Sequence, residues 1–99
     1  MRRPALEDAL RDRDAVLRAF VADDGRLRGI PTKIRKRLVV LDLFAQEFEP
    51  GERYPETEVN NRLRAFHPDV AALRRYLVEE EFLERGEGLY WRAGGTVPG

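Results

Sequence analysis

Apolar residues recur along the chain at helical spacing in four stretches. Leu6, Leu10, Leu17 and Val21 fall on one face of a first helix over residues 5–22, with Arg13 interrupting the stripe. "DDGRLRGIP" ends that helix, with Gly25 as its C-cap and Leu27 in a short extended piece. Pro31 biases Ile30 toward extended backbone. Thr32 is a good N-cap for a second helix reaching about residue 48. Its broad apolar face runs through Ile34, Leu38, Leu41, Phe44, Ala45 and Phe48, while Val39 and Leu43 lie on another side. Apolar character on most sides predicts a central helix packed by several neighbours.

"EPGERYP" is a turn followed by a short strand at Arg53-Tyr54. Val59, Leu63 and Phe66 then give an amphipathic third helix starting near residues 55–57, broken by "HPD". Asp69 is an N-cap for a fourth helix to about residue 80, with Val70, Leu73 and Leu77 inward. "FLERGEGLYWR" predicts a hairpin: residues 82–85, a turn at 86–88, then 89–92. The order predicts an α+β, mostly α fold. It is a winged helix-turn-helix, three core helices plus a C-terminal β-hairpin wing, with an extra N-terminal helix. The expected divisions are a helical extension over 1–14, a winged-helix-like domain over 15–92 and a flexible tail over 93–99.

At 99 residues the chain is the size of one small domain. It has no cysteine, no serine and one histidine, His67. Nucleophile–base pairs of the Ser-His or Cys-His kind are therefore excluded, and the expectation is no enzyme, no cofactor and no metal. His67 before Pro68 is expected to serve as a turn residue donating a local hydrogen bond. No apolar run approaches the roughly 20 residues of a membrane span, and the N-terminus lacks a signal-peptide core, so a cytoplasmic protein is expected.

Eighteen basic and eighteen acidic residues cancel. Their distribution is banded: residues 26–37 hold six cations and no acid, 42–58 are acidic, 61–76 basic and 79–87 acidic again. Lys33 to Arg37 packs four cations into five positions at the start of the second helix, where the helix dipole mildly disfavours them. On a wheel, Lys33 and Arg37 lie about 40° apart and Lys36 about 60° from Lys33, with Arg35 alone on the far side. Lys33, Lys36 and Arg37 are thus a candidate phosphate clamp, joined by Arg62 and Arg64.

The fourth helix is the candidate recognition helix. Small Ala71 and Ala72 let it approach a groove floor, Arg75 reaches a base edge and Arg74 a phosphate. The alternative is that the alanines favour the helix and the arginines solvate it or pair with glutamates. In the wing, Arg85, Tyr90 and Arg92 are candidate contacts. Strand alternation puts Tyr90 and Arg92 on one face and Leu89 and Trp91 on the other, with Trp91 expected as a core cap. Glu79 and Glu87 do not suit a phosphate surface.

The strings "GRLRGIPTKIRKRLVVLDLFAQEF" and "GERYPETEVNNRLRAFHPDVAALRRYLVEEEFLERGEGLYWR" resemble domain-of-unknown-function family 2087. The resemblance spans residues 16–92. It rests on Ile30-Pro31 with Lys33, Lys36 and Arg37, on Tyr54 with Glu56, and on Glu58-Val59-Asn60. Asp69 with Leu73-Arg74-Arg75, Leu77-Val78 and Tyr90-Trp91-Arg92 complete it. Pro55 departs from the capping Thr expected at that position. The resemblance implies a small bacterial domain, alone or C-terminal to ArsR-type helix-turn-helix domains, with a role in transcriptional regulation. Two functions follow as expectations. One is binding of double-stranded DNA, with a homodimer formed through the N-terminal helix; the other is a protein partner on the same scaffold without DNA.

Overall fold

The computed structural model describes residues 4–97. It is a mostly helical α+β chain with a small three-stranded antiparallel sheet. The elements are α1 (Pro4–Ala9), a 3-10 turn (Leu10–Asp12), α2 (Arg13–Phe20), α3 (Ile34–Ala45), β1 (Arg53–Pro55), α4 (Glu56–Arg64), α5 (Val70–Glu79), β2 (Leu83–Gly86) and β3 (Leu89–Arg92). The predicted first helix is broken where its apolar stripe fails, at Leu10–Asp12 just before Arg13. Val21 and Leu27 form an isolated antiparallel bridge around the Gly25 turn.

α3 is the central helix. Leu38, Val39, Val40, Leu41, Phe44 and Ala45 are all buried, on more than one side, because α1, α2 and α5 pack around it. Truncating a fully buried residue such as Leu41 or Phe44 to Ala costs about 2–5 kcal/mol. Its start differs from expectation. Lys33 occupies the N-cap position without a side-chain bond, and Ile34 is 46% exposed instead of anchoring the core. Phe44 stacks on Phe66 at 4.4 Å, which joins α3 to the end of α4.

Two local signals act as expected. The Asp69 carboxylate accepts the backbone N–H of Ala72 at 3.1 Å and caps α5. The hairpin turns through Glu87 and Gly88, with φ of 54° and 79°. Two successive positive φ values match the right-handed twist of the flanking strands. β3 is the middle strand, in the order β1-β3-β2, with Tyr54 opposite Tyr90 and Arg85 opposite Tyr90 on the other side.

Of residues 93–97, expected as part of a flexible tail, Ala93, Gly94 and Thr96 hydrogen-bond to buried residues, while Val97 is exposed. Ala93 donates its N–H to the Phe82 carbonyl, and Thr96 bonds Asp42 through both its N–H and its hydroxyl. At the other end, Leu6 and Ala9 of the expected N-terminal extension are buried and α1 packs on α3. Residues 1–3 and 98–99 of those two stretches lie outside the described residues.

Candidate nucleic-acid interface

The basic start of α3 is divided among three surroundings. Arg35 donates to the Asp8 carboxylate and lies 3.5 Å from that of Asp12, which ties α3 to the N-terminal helices. The hydrogen bond it donates to Asp8 raises the Arg35 pKa above its ordinary value. Lys36 rests over the Phe20 ring of α2, at 6.0 Å. Arg37 folds back to donate to the carbonyls of Pro31 and Thr32 at 3.2 and 3.0 Å, and its guanidinium covers the Tyr76 ring at 4.3 Å. Lys33 is exposed and has no acidic partner among the described residues. The expected clamp of Lys33, Lys36 and Arg37 is therefore split. Lys36 leans toward α2 and Arg37 toward α5, because a flat apolar ring lies within reach on each side.

On α5, Ala71 and Arg75 are exposed, and Ala72 is not. Ala72 is 8% exposed, so its place on the outward face is corrected. It faces inward on the side of Tyr76, one turn ahead of it. Arg75 is within 5.0 Å of the Tyr76 ring, and its Nε is 3.7 Å from Glu79. Arg74 turns toward α4, where it donates to the Asn60 side chain and approaches Glu56 at 3.7 Å.

Arg62 is also held internally. It donates to Glu58 at 2.8 Å and to the Glu47 carbonyl at 2.6 Å, and covers Tyr54 at 4.7 Å. Arg64 is exposed, and its side chain bonds only Asn61 among the described residues. Four residues after Asn60, it shares the flank of α4 that meets α5.

The wing is corrected most. Tyr90 and Arg92 do share a face, but that face is the inner one. Tyr90 is 2% exposed and donates its hydroxyl to Glu56 at 2.8 Å. Arg92 donates to the carbonyls of Ala45, Phe48, Gly94 and Thr96, so it closes the C-terminal end of α3 and is not a wing contact. Trp91 lies on the outer face, not over the core. Arg53 stacks on it at 4.4 Å and its indole donates to Glu84 at 3.0 Å. Arg85 remains exposed on the wing.

Three residues took roles that the sequence reasoning missed. Asp42 is buried and accepts from Thr96. Arg26 donates to the carbonyls of Arg64 and Ala65 at 3.3 and 3.2 Å, which caps the end of α4. His67 accepts the Asp69 N–H at 3.0 Å, where a donor was expected. For Asp42 the usable signal was an acid inside an otherwise apolar block.

Among the described residues no helix is long and apolar enough to cross a membrane, and no group of three His, Cys, Asp or Glu could hold a metal ion. Helix, strand, helix, helix and hairpin around a basic helix flank place the chain among small mixed α+β domains. A family model matches residues 26–92, and the chain belongs to that family, described as uncharacterized protein conserved in bacteria (DUF2087). The match begins after α2, ten residues later than the resemblance in the sequence. Neither the curated proteins nor the solved structures compared with the chain gave a match.

Proposed function

We propose that the chain is a winged helix-turn-helix module that binds double-stranded DNA in bacterial transcriptional control. The observation that carries this reading is the Tyr76 ring. Arg37 from α3 and Arg75 from α5 both lie against it, so one cation from the start of α3 and the exposed face of α5 meet on one surface. The strand order β1-β3-β2, with β1 between two helices and the hairpin after α5, supports the same architecture. In this reading α5 enters the major groove with Ala71 toward the floor and Arg75 toward a base edge. Arg64 and the wing residue Arg85 hold backbone phosphates, and Arg74 positions α5 against α4.

Fluorescence anisotropy on a labelled mixed-sequence duplex, at low and at physiological salt, tests the reading. Binding that weakens with salt and is reduced by Arg75→Gln supports it. No binding at tens of micromolar protein and low salt overturns it, because nonspecific association is strong enough to register there.

One observation favours a protein-binding module instead. Arg74 and Arg75 are each neutralised by a nearby glutamate, Glu56 and Glu79, in a chain without net charge. That module would capture its partner unchanged after nuclease treatment and with Arg75→Gln.

A further inference from the structure

A surface cavity of about 390 Å³ opens between α2 and the segment leading into α3. Small-molecule sites span about 300–1,000 Å³, so the space suits a compact ligand. Phe20 and Ile30 supply apolar wall, while Arg28, Lys33 and Lys36 place three cations around it, and no acid lines it. None of the three makes an ion pair or a side-chain hydrogen bond among the described residues. Their neighbour Arg35 takes Asp8 and Asp12. Arg28 also borders an adjoining cavity that holds Asp14 and Asp23, without pairing to either. Three unpaired like charges around an apolar hollow match a ligand with an apolar body and an anionic head, since burying its negative charge needs that opposite charge.

We propose that this cavity binds a small organic anion, its ring or short alkyl body against Phe20 and Ile30 and its carboxylate or phosphate head among Arg28, Lys33 and Lys36. The site goes beyond the DNA reading and does not depend on it, since it is measured without nucleic acid. Gly29 gives a way to test shape apart from charge. A Cβ there meets nothing within 4 Å, and its φ is not in the left-handed region, so a larger side chain can grow into the open space.

The experiment is a two-dimensional amide NMR titration of the full chain with salicylate, with neutral salicylamide and with inorganic phosphate. Salicylate is expected to shift the Gly29, Thr32 and Lys33 amides to saturation, at least about tenfold more tightly than the other two probes, with an affinity in the millimolar range or better. Arg28→Gln with Lys33→Gln is expected to weaken it about tenfold or more, and so is Gly29→Leu, which leaves every charge in place. Equal binding of salicylamide, phosphate binding as tight as salicylate, or no saturable shift at these amides by about 10 mM overturns the proposal. An unchanged salicylate affinity in Gly29→Leu, with its amide spectrum otherwise native, overturns it as well.

Discussion

The carboxylate of Asp42, buried in the last turn of α3, accepts both the backbone N–H and the hydroxyl of Thr96, at 2.7 and 2.9 Å. A charged acceptor in the core is tolerable only with such donors. Removing one partner of a buried charge-assisted pair costs about 1.5–3 kcal/mol. Asp42→Ala and Thr96→Ala are each expected to destabilise the chain by an amount in that range. In a double-mutant cycle read by chemical denaturation, the double variant is expected to cost clearly less than the sum. Additive losses would show that the two groups do not act together.

Arg92 and Arg75 separate stability from binding. Arg92→Ala frees the carbonyls of Ala45 and Phe48 at the end of α3 and is expected to cost about 2–3 kcal/mol. For a domain of this size that lowers Tm by roughly 10–20 °C. Arg92→Lys is expected to recover little, because one ammonium cannot replace a planar fork of donors. Duplex affinity measured well below the melting range is expected to stay unchanged in both variants. A selective loss of affinity would return Arg92 to the interface.

Arg75 and Glu79 are expected to move duplex affinity in opposite directions. Arg75→Gln weakens it and lowers the salt slope by about one. Glu79→Gln releases the Arg75 guanidinium and removes a charge that repels phosphate, so binding tightens by about two- to fivefold at low salt. Anisotropy titrations at several salt concentrations check both signs. A tightening from Arg75→Gln would contradict the proposed docking of α5.

Two glycines are expected to respond oppositely to alanine. Gly95 has φ of 93°, and a Cβ there would meet Asp42 Oδ1 at 3.0 Å and the Phe82 ring at 3.2 Å. Gly95→Ala is therefore expected to cost about 1–3 kcal/mol through backbone strain and crowding of the Asp42 bonds. Gly29 has neither constraint, so Gly29→Ala is expected to be neutral or to stabilise by up to about 1 kcal/mol. Thermal unfolding followed by circular dichroism distinguishes the two.

The parts legible in the sequence were those that neighbours in the chain decide. Asp69 caps α5 three residues away, and Glu87-Gly88 turns the hairpin within two. The period of the apolar residues located α3, α4 and α5 to within a few residues. Strand alternation told which wing residues share a face but not which face meets the core, so Tyr90, Arg92 and Trp91 were assigned to the wrong sides. Ala72 and Ile34 went astray in the same way: both lie at the edge of an apolar stripe, where the neighbouring helix decides burial. Arg26, Asp42 and Arg62 have partners at 38, 54 and 15 residues' separation, beyond any local pattern. For the candidate interface, the sequence supplied the cations. Which of them remain exposed depended on rings and carbonyls brought in from other elements.

With β3 in the centre of the sheet, β1 and β2 each keep one edge that no strand among the described residues covers. An open edge is a template for a strand of another molecule. Here a chain with equal numbers of acids and bases has no overall repulsion to hold its copies apart. Protection against aggregation has to come from the edges themselves. β1 is only three residues long and ends in Pro55, which has no N–H to offer, while β2 carries the exposed charges Glu84 and Arg85. Wing substitutions that replace those charges with apolar residues would therefore affect colloidal behaviour before they affect folding.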